Sequence, residues 1–391
     1  MDMRKGLLLL LLIACDSAGA SAASSVGSFL VTNNDVALPD PAFSYRGSTV
    51  SFYSIGPTGV PGDKIVVLTG GDGVGGGFFA SSRVAIVPEG KQVCVFASNA
   101  GTNDIAGISA ATHTLTGNFL GSSTDSGSAN GIGLVANASY LYASFSSAGT
   151  IATFNIQSGC TLGFVGDLFT VGLNAGVAGG MAIHGPTMVV TYGDGSIESF
   201  NIEGGVPVSN GDAQKSTGSA DDHLPNAVEI TADGHYAIFG DSSTIATLEV
   251  SDISSGKLTP TVAYDVGKGW NSGSVQLSPD NTLIFVTNSS GGAVTAVRFD
   301  RTTGKISRGC TSEPLEGFYS AWLYAGGAAL QLPTAAGGLL YVPEFGSSGF
   351  SSIGIVQFAF SETACTLTEA ANSPIIDNSV ASALLSIAIY P

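Results

Sequence analysis

Hydrophobic and polar positions alternate with period two in short runs along most of the chain, and Gly, Ser, Asp or Pro interrupts each run after a few residues. That pattern predicts β-strands joined by tight turns, and no stretch carries a convincing helical period. The clearest phrase is residues 275–306, VQLSPDNTLIFVTNSSGGAVTAVRFDRTTGKI. It reads as an apolar strand, a turn at Ser278-Pro279-Asp280-Asn281, a second strand (LIFVTN), a Gly-rich loop, a third strand (AVTAVRFD), and a Thr303-Gly304 turn into a fourth. Residues 228–265 repeat the phrase, with Ala232-Asp233-Gly234 and Ser255-Gly256-Lys257-Leu258 at the matching turns. Weaker copies begin after Arg83, Gly131, Gly180 and Ala329. The spacing of roughly 40 to 50 residues is that of four-stranded propeller blades.

Two fragments complete the count. Near the start, Ser28–Asn33, Thr49–Ser54 and Lys64–Leu68 match the second, third and fourth strands of a unit whose first strand is missing. At the end, Ala383–Tyr390 matches a first strand with nothing after it. Pairing the two closes a ring and removes two open sheet edges, which would otherwise recruit other chains. The predicted fold is therefore all-β, a seven-bladed β-propeller of four-stranded blades spanning residues 28–391 as one domain.

The phrase SPDNTLIFVTNSSGGAVTAVRFDRTTGKI resembles the YVTN-repeat and lactonase-like group of seven-bladed propellers. The resemblance covers nearly the whole mature chain as a repeat pattern, and the last two-thirds carries the best phrases. It implies the fold with more force than a function, because this architecture hosts unrelated activities. For lactone chemistry it implies a polar centre in which His, Glu and Arg side chains activate water and stabilise a carboxylate. The His-containing approach is matched by His223-Leu224-Pro225, and Arg46 maps near the rim. Arg83, Arg298, Arg301 and Arg308 map to strands or to the opposite side.

Composition narrows the partners. With 13 basic and 30 acidic residues the formal charge is −17, a field that repels nucleic-acid phosphates and anionic lipid headgroups. At the N-terminus, Arg4 and Lys5 precede an apolar run from Leu7 to Ala14, too short for a permanent membrane anchor. Residues 1–27 read as a signal peptide and flexible tether. Two processing routes stand open: cleavage after Ala20-Ser21-Ala22, or a lipobox Leu12-Ile13-Ala14-Cys15 in which Cys15 is lipidated. Both make the mature chain extracytoplasmic, either secreted or periplasmic or a lipoprotein of the cell envelope. Removing Cys15 leaves Cys94, Cys160, Cys310 and Cys365, an even set that admits up to two disulfides in any of three pairings.

Loops between the second and third strands of a blade, and loops between blades, share one rim over the central channel. The sequence places there the candidate ligand-binding residues Asp194, Asp221, Asp222, His223, Asp241, Trp270, Trp322 and Glu344. Aromatics at such a rim stack on flat ligands, and carboxylates hold hydroxyls or a cation. His113, His184 and His235 map to the opposite rim, so no histidine set for zinc converges. Asp221 and Asp222 are the carboxylates from which a structural Ca²⁺ site would be built; no other cofactor is implied. Gly71-Asp72-Gly73-Val74-Gly75-Gly76 has dinucleotide-fingerprint spacing, but a strand follows it in place of the required helix, so it reads as an inter-blade loop. The reading favoured by sequence is a monomeric, non-catalytic binding or interaction module for a small molecule, glycan or protein. Its rivals are a hydrolase or isomerase acting on a sugar-derived lactone, and a passive scaffold.

Overall fold

A computed structural model describes residues 26–34, 47–73, 82–125, 131–216, 225–241, 245–268, 272–288, 293–311, 322–323, 328–331, 337–345, 354–361, 363–371, 373, 375–376 and 386–391. Its strands form seven antiparallel sheets arranged as the blades of a ring. Blades 2 to 6 each use four consecutive strands, from innermost to outermost: Val84–Glu89 to Thr114–Leu120, Ile132–Ala136 to Thr161–Phe169, Ala178–His184 to Val206–Ser209, Pro225–Ile230 to Thr259–Lys268, and Ser272–Leu277 to Lys305–Thr311. In blade 7 the innermost place is shared by Trp322–Leu323 and Ala328–Gln331, both paired with Gly337–Phe345.

Blade 1 is built from both ends of the chain. Phe29–Asn34, Thr49–Ile55 and Pro61–Leu68 supply its outer three strands, and Ser386–Tyr390 supplies the innermost one. The closing register pairs Phe29 with Tyr390, Leu30 with Ile389 and Val31 with Ala388. This is the ring closure that the two orphan strand fragments predict.

The core is not one cluster but seven seams, each between adjacent blades. Phe29 and Val31 enter the seam with blade 2, while Leu30 between them enters the seam with blade 7. The period-two pattern therefore sorts side chains between two neighbours, not between core and water. That is why the middle strands are buried at every position, as in Phe29–Asn34 and Tyr236–Asp241. Solvent-facing alternation survives in the outermost strands, where Leu115, Phe164, Phe169 and Val208 are exposed.

A second set of contacts recurs at the rim opposite the inter-blade loops. In every blade the turn between the third and outermost strands presents a residue of positive φ: Gly59, His113, Cys160, Gly205, Gly256, Gly304 and Cys365. Each of these corners docks on the preceding blade. His113 meets Phe52 edge to face at 4.9 Å. Cys160 is bonded to Cys94. Gly205 accepts a hydrogen bond from Tyr142, and Gly256 accepts one from Ser199 at 2.9 Å and one from Asn210 at 2.7 Å. Gly304 lies so close to Tyr236 that a Cβ would sit 2.6 Å from the ring. Cys365 faces Cys310. The ring is completed by Tyr341 of blade 7, whose hydroxyl donates to the carbonyl oxygen of Gly59 in blade 1.

Candidate functional site

The rim carrying the inter-blade loops, here called the mouth, is where the innermost strands begin. Polar residues staple blade to blade beneath it. Thr69 at the end of blade 1 donates to Asn99 of blade 2 at 2.7 Å, and Thr150 of blade 3 donates to Asp125 at the end of blade 2 at 2.5 Å. Thr170 and Tyr192 share a 2.7 Å bond between blades 3 and 4, and Ser216 donates to Glu249 at 2.7 Å between blades 4 and 5. Tyr192 also donates to Glu198 at 2.9 Å, and burial together with that neighbouring carboxylate pushes its phenol well above the ordinary range.

Local hydrogen bonds likewise occupy the rim carboxylates, among them the sequence candidate Asp194. Asp104 accepts from Asn99 at 2.6 Å and Asn118 at 2.7 Å. Asp194 accepts the amides of Asn174 at 2.5 Å and Ser196 at 2.9 Å, and also the Ser196 hydroxyl. Partial burial works against the Asp194 anion, but these donors and the nearby Lys215 outweigh it and hold the carboxyl below its usual range. Asp194 thus builds the loop between blades 3 and 4. Asp241 is buried at the mouth end of blade 5, opposite Pro225, and is already partnered.

The other sequence candidates fall differently. Asp221, Asp222, His223 and Trp270 lie outside the described residues. In blade 7 the register pairs Trp322 with Phe345 and Leu323 with Glu344 at the mouth end of the sheet, so Trp322 and Glu344 are not partners and fall on opposite faces. His184 and His235 stand at the opposite rim, on either side of the turn between the first two strands of blade 5, as the turn pattern predicts. The Gly-rich stretch after blade 1 is an inter-blade loop where it is described: the carbonyl of Asp72 accepts the amides of Gly101 at 2.8 Å and Thr102 at 3.2 Å in blade 2.

Two further residues stand out, neither of them a sequence candidate for the site. Arg83, which the sequence maps with Arg298, Arg301 and Arg308 to strands or to the opposite side, instead directly precedes the innermost strand of blade 2 at its mouth end and is 1% exposed. Its amide donates to Ser386 of the closing strand at 3.2 Å, and its carbonyl accepts from Asn33 at 2.9 Å. Its guanidinium lies against Gly131, where a Cβ would fall 2.6 Å from Nη2, so a side chain at 131 would displace the arginine. The second is Glu229, on the innermost strand of blade 5. It keeps some exposed surface, yet protein withdraws most of its hydration and pushes the carboxyl from 4.5 to about 7, with desolvation as the cause.

No protein-family model matches the chain, and no curated protein is similar to it in sequence. Among solved structures, a candidate 6-phosphogluconolactonase from Bacteroides fragilis superposes with a TM-score of 0.66 at 14% identity, over 93% of this chain and 98% of that one. A candidate 6-phosphogluconolactonase from Bacteroides uniformis gives 0.66 at 12% identity, over 93% and 99%. The chain has the fold of the lactonase-like seven-bladed propellers. The periplasmic gluconolactonase of Pseudomonas aeruginosa also matches this propeller, at a TM-score of 0.54 and 15% identity, over 72% of this chain and 81% of that one. At these identities the likeness carries the architecture alone.

Proposed function

We propose that the protein is an exported lactonase-like propeller that hydrolyses a sugar-derived lactone at its central channel. Glu229 carries this reading. A carboxyl on an innermost strand, one residue from its end at the rim opposite the mouth and raised to about 7 by desolvation, is partly ionised near neutral pH and suited to general-base work at that end of the channel. As the anion it removes a proton from water while the water oxygen attacks the lactone carbonyl. Collapse of the tetrahedral species breaks the ring C–O bond and gives a hydroxy acid. The lactonase names of the fold neighbours agree with this substrate class. The Cys94–Cys160 disulfide suits an oxidising, extracytoplasmic compartment.

A pH-stat assay of sugar δ- and γ-lactones, corrected for spontaneous opening, tests the reading. The wild type should turn over at least one of them, with kcat rising through about pH 7. Glu229→Gln should lower kcat by about 100-fold or more while the fold is kept. Absence of turnover on every lactone would overturn it.

The non-catalytic binding module is the second reading, supported by the position of Trp322 at the mouth end of blade 7. It predicts sugar or sugar-acid binding by calorimetry, without turnover, that Trp322→Ala weakens.

A further inference from the structure

Of the seven corner contacts, two have cysteine on both sides. The corner residues Cys160 and Cys365 are equivalent: each follows the third strand of its blade, adopts positive φ (59° and 50°), and opens the sequence Cys-Thr-Leu of an outermost strand. Cys160 is bonded to Cys94 of the blade before it. Cys365 places its Sγ 2.6 Å from Sγ of Cys310, on the outermost strand of the blade before it. A separate contact holds the same corner in place, because Arg298 of blade 6 donates to the carbonyl of Thr363 at 3.0 Å. Cys310 packs against the apolar seam between blades 6 and 7, to which Phe285 and Ala296 of blade 6 and Leu367 of blade 7 belong. Two thiols on a rigid sheet and a docked turn, already in sulfur–sulfur contact, need little backbone movement to bond.

We propose that Cys310 and Cys365 form a second inter-blade disulfide in the exported protein, and that this one, unlike Cys94–Cys160, is reversibly opened by external thiols. The difference is access. Cys94 and Cys160 are both 0% exposed. Cys310 and Cys365 keep part of their surface in solvent at the corner. Formation is thiol–disulfide exchange with an external disulfide. One cysteine thiolate attacks it, forms a mixed disulfide and expels a thiolate. The second cysteine then displaces the external sulfur. The two cysteines lose two electrons and two protons, and the external disulfide becomes two thiols. Burial and the neighbouring Cys365 push the Cys310 thiol up to about 12. The bond would fasten blade 7, the last blade before the closing strand, to blade 6.

The test uses folded full-length mature protein, equilibrated with oxidised glutathione, then exposed to a graded series of dithiothreitol without denaturant. Free thiols are trapped with iodoacetamide and located by peptide mass. The expected sequence is no labelling before reduction, then labelling of Cys310 and Cys365 together at low dithiothreitol, with Cys94 and Cys160 labelled only on unfolding. In parallel, C310S/C365S should melt ~3 °C or more below the oxidised wild type and at the same temperature as wild type in the low-dithiothreitol window. Labelling of Cys310 or Cys365 after oxidation, or release of Cys94 and Cys160 at the same dithiothreitol concentration, would overturn the proposal. Neither outcome bears on lactone turnover.

Discussion

The phenol of Tyr142 in blade 3 donates a 2.9 Å hydrogen bond to the carbonyl oxygen of Gly205, the corner residue of blade 4. Burial keeps that phenol protonated by pushing it up to about 12. Gly205 has φ +92°, and a Cβ there would meet the ring of Tyr140 at 2.2 Å. Gly205→Ala therefore combines backbone strain with a steric clash and should cost about 2–4 kcal/mol of stability. Tyr142→Phe should cost about 1 kcal/mol, the worth of one buried hydrogen bond. Denaturant unfolding of both variants checks the ordering. A Gly205→Ala protein as stable as wild type would show that this corner bears no load.

Glu229 gives the fold a pH dependence of known sign. Its folded-state pKa of about 7 lies above the unfolded value of 4.5. The folded protein holds its proton more tightly, so the stability from the neutral form is fully present below pH 4.5 and is lost as pH rises through about 7. The loss is about 2–3 kcal/mol as an upper figure. Glu229→Gln cannot ionise, so its melting temperature relative to wild type should climb between pH 5 and pH 8 and then level off. A difference that stays constant across that range would mean that Glu229 is solvated like a surface carboxylate.

The ring closure can be broken from the C-terminal end. Ile387 is 4% exposed, pairs with Thr32, and sits in the seam that Leu30, Tyr341 and Ile355 share. Ile387→Asp buries an unpaired charge there and should destabilise by about 3 kcal/mol or more. Loss of the closing strand leaves Phe29–Asn34 as an open edge, so self-association should rise as well. Thermal unfolding and light scattering read the two effects.

The closure was legible because it followed from a mismatch: three strands at one end, one at the other, and a repeat that needs four. The alternation of SFLVTN also located its strand correctly, though the structure gives it another meaning, with Leu30 and Val31 facing different seams. Site chemistry was less legible. Asp194 lies in a Gly-Asp-Gly turn and looks available in sequence, but the amides of Asn174 and Ser196 that occupy it come from local folding. Arg83 has no periodic signature that says which end of a strand it occupies. Cys94 was paired with Cys160 by corner docking between blades, a contact that no spacing rule encodes. Glu229 reads as one polar residue in an alternating strand, and its unusual acidity arises only when the ring encloses it.

Six of the seven corners reach back to a blade earlier in the chain, which bears on how the molecule is made. For six of the seven junctions the receiving blade has already left the ribosome when the corner that binds it is synthesised, as Tyr142 precedes Gly205 and Tyr236 precedes Gly304. Each new sheet finds its dock waiting, and growth proceeds in the direction of translation. The exception is Gly59, exposed early and left without Tyr341 until almost the whole chain has emerged. During that interval the first blade lacks both a neighbour on one side and its innermost strand, so the nascent protein is most vulnerable at its oldest part.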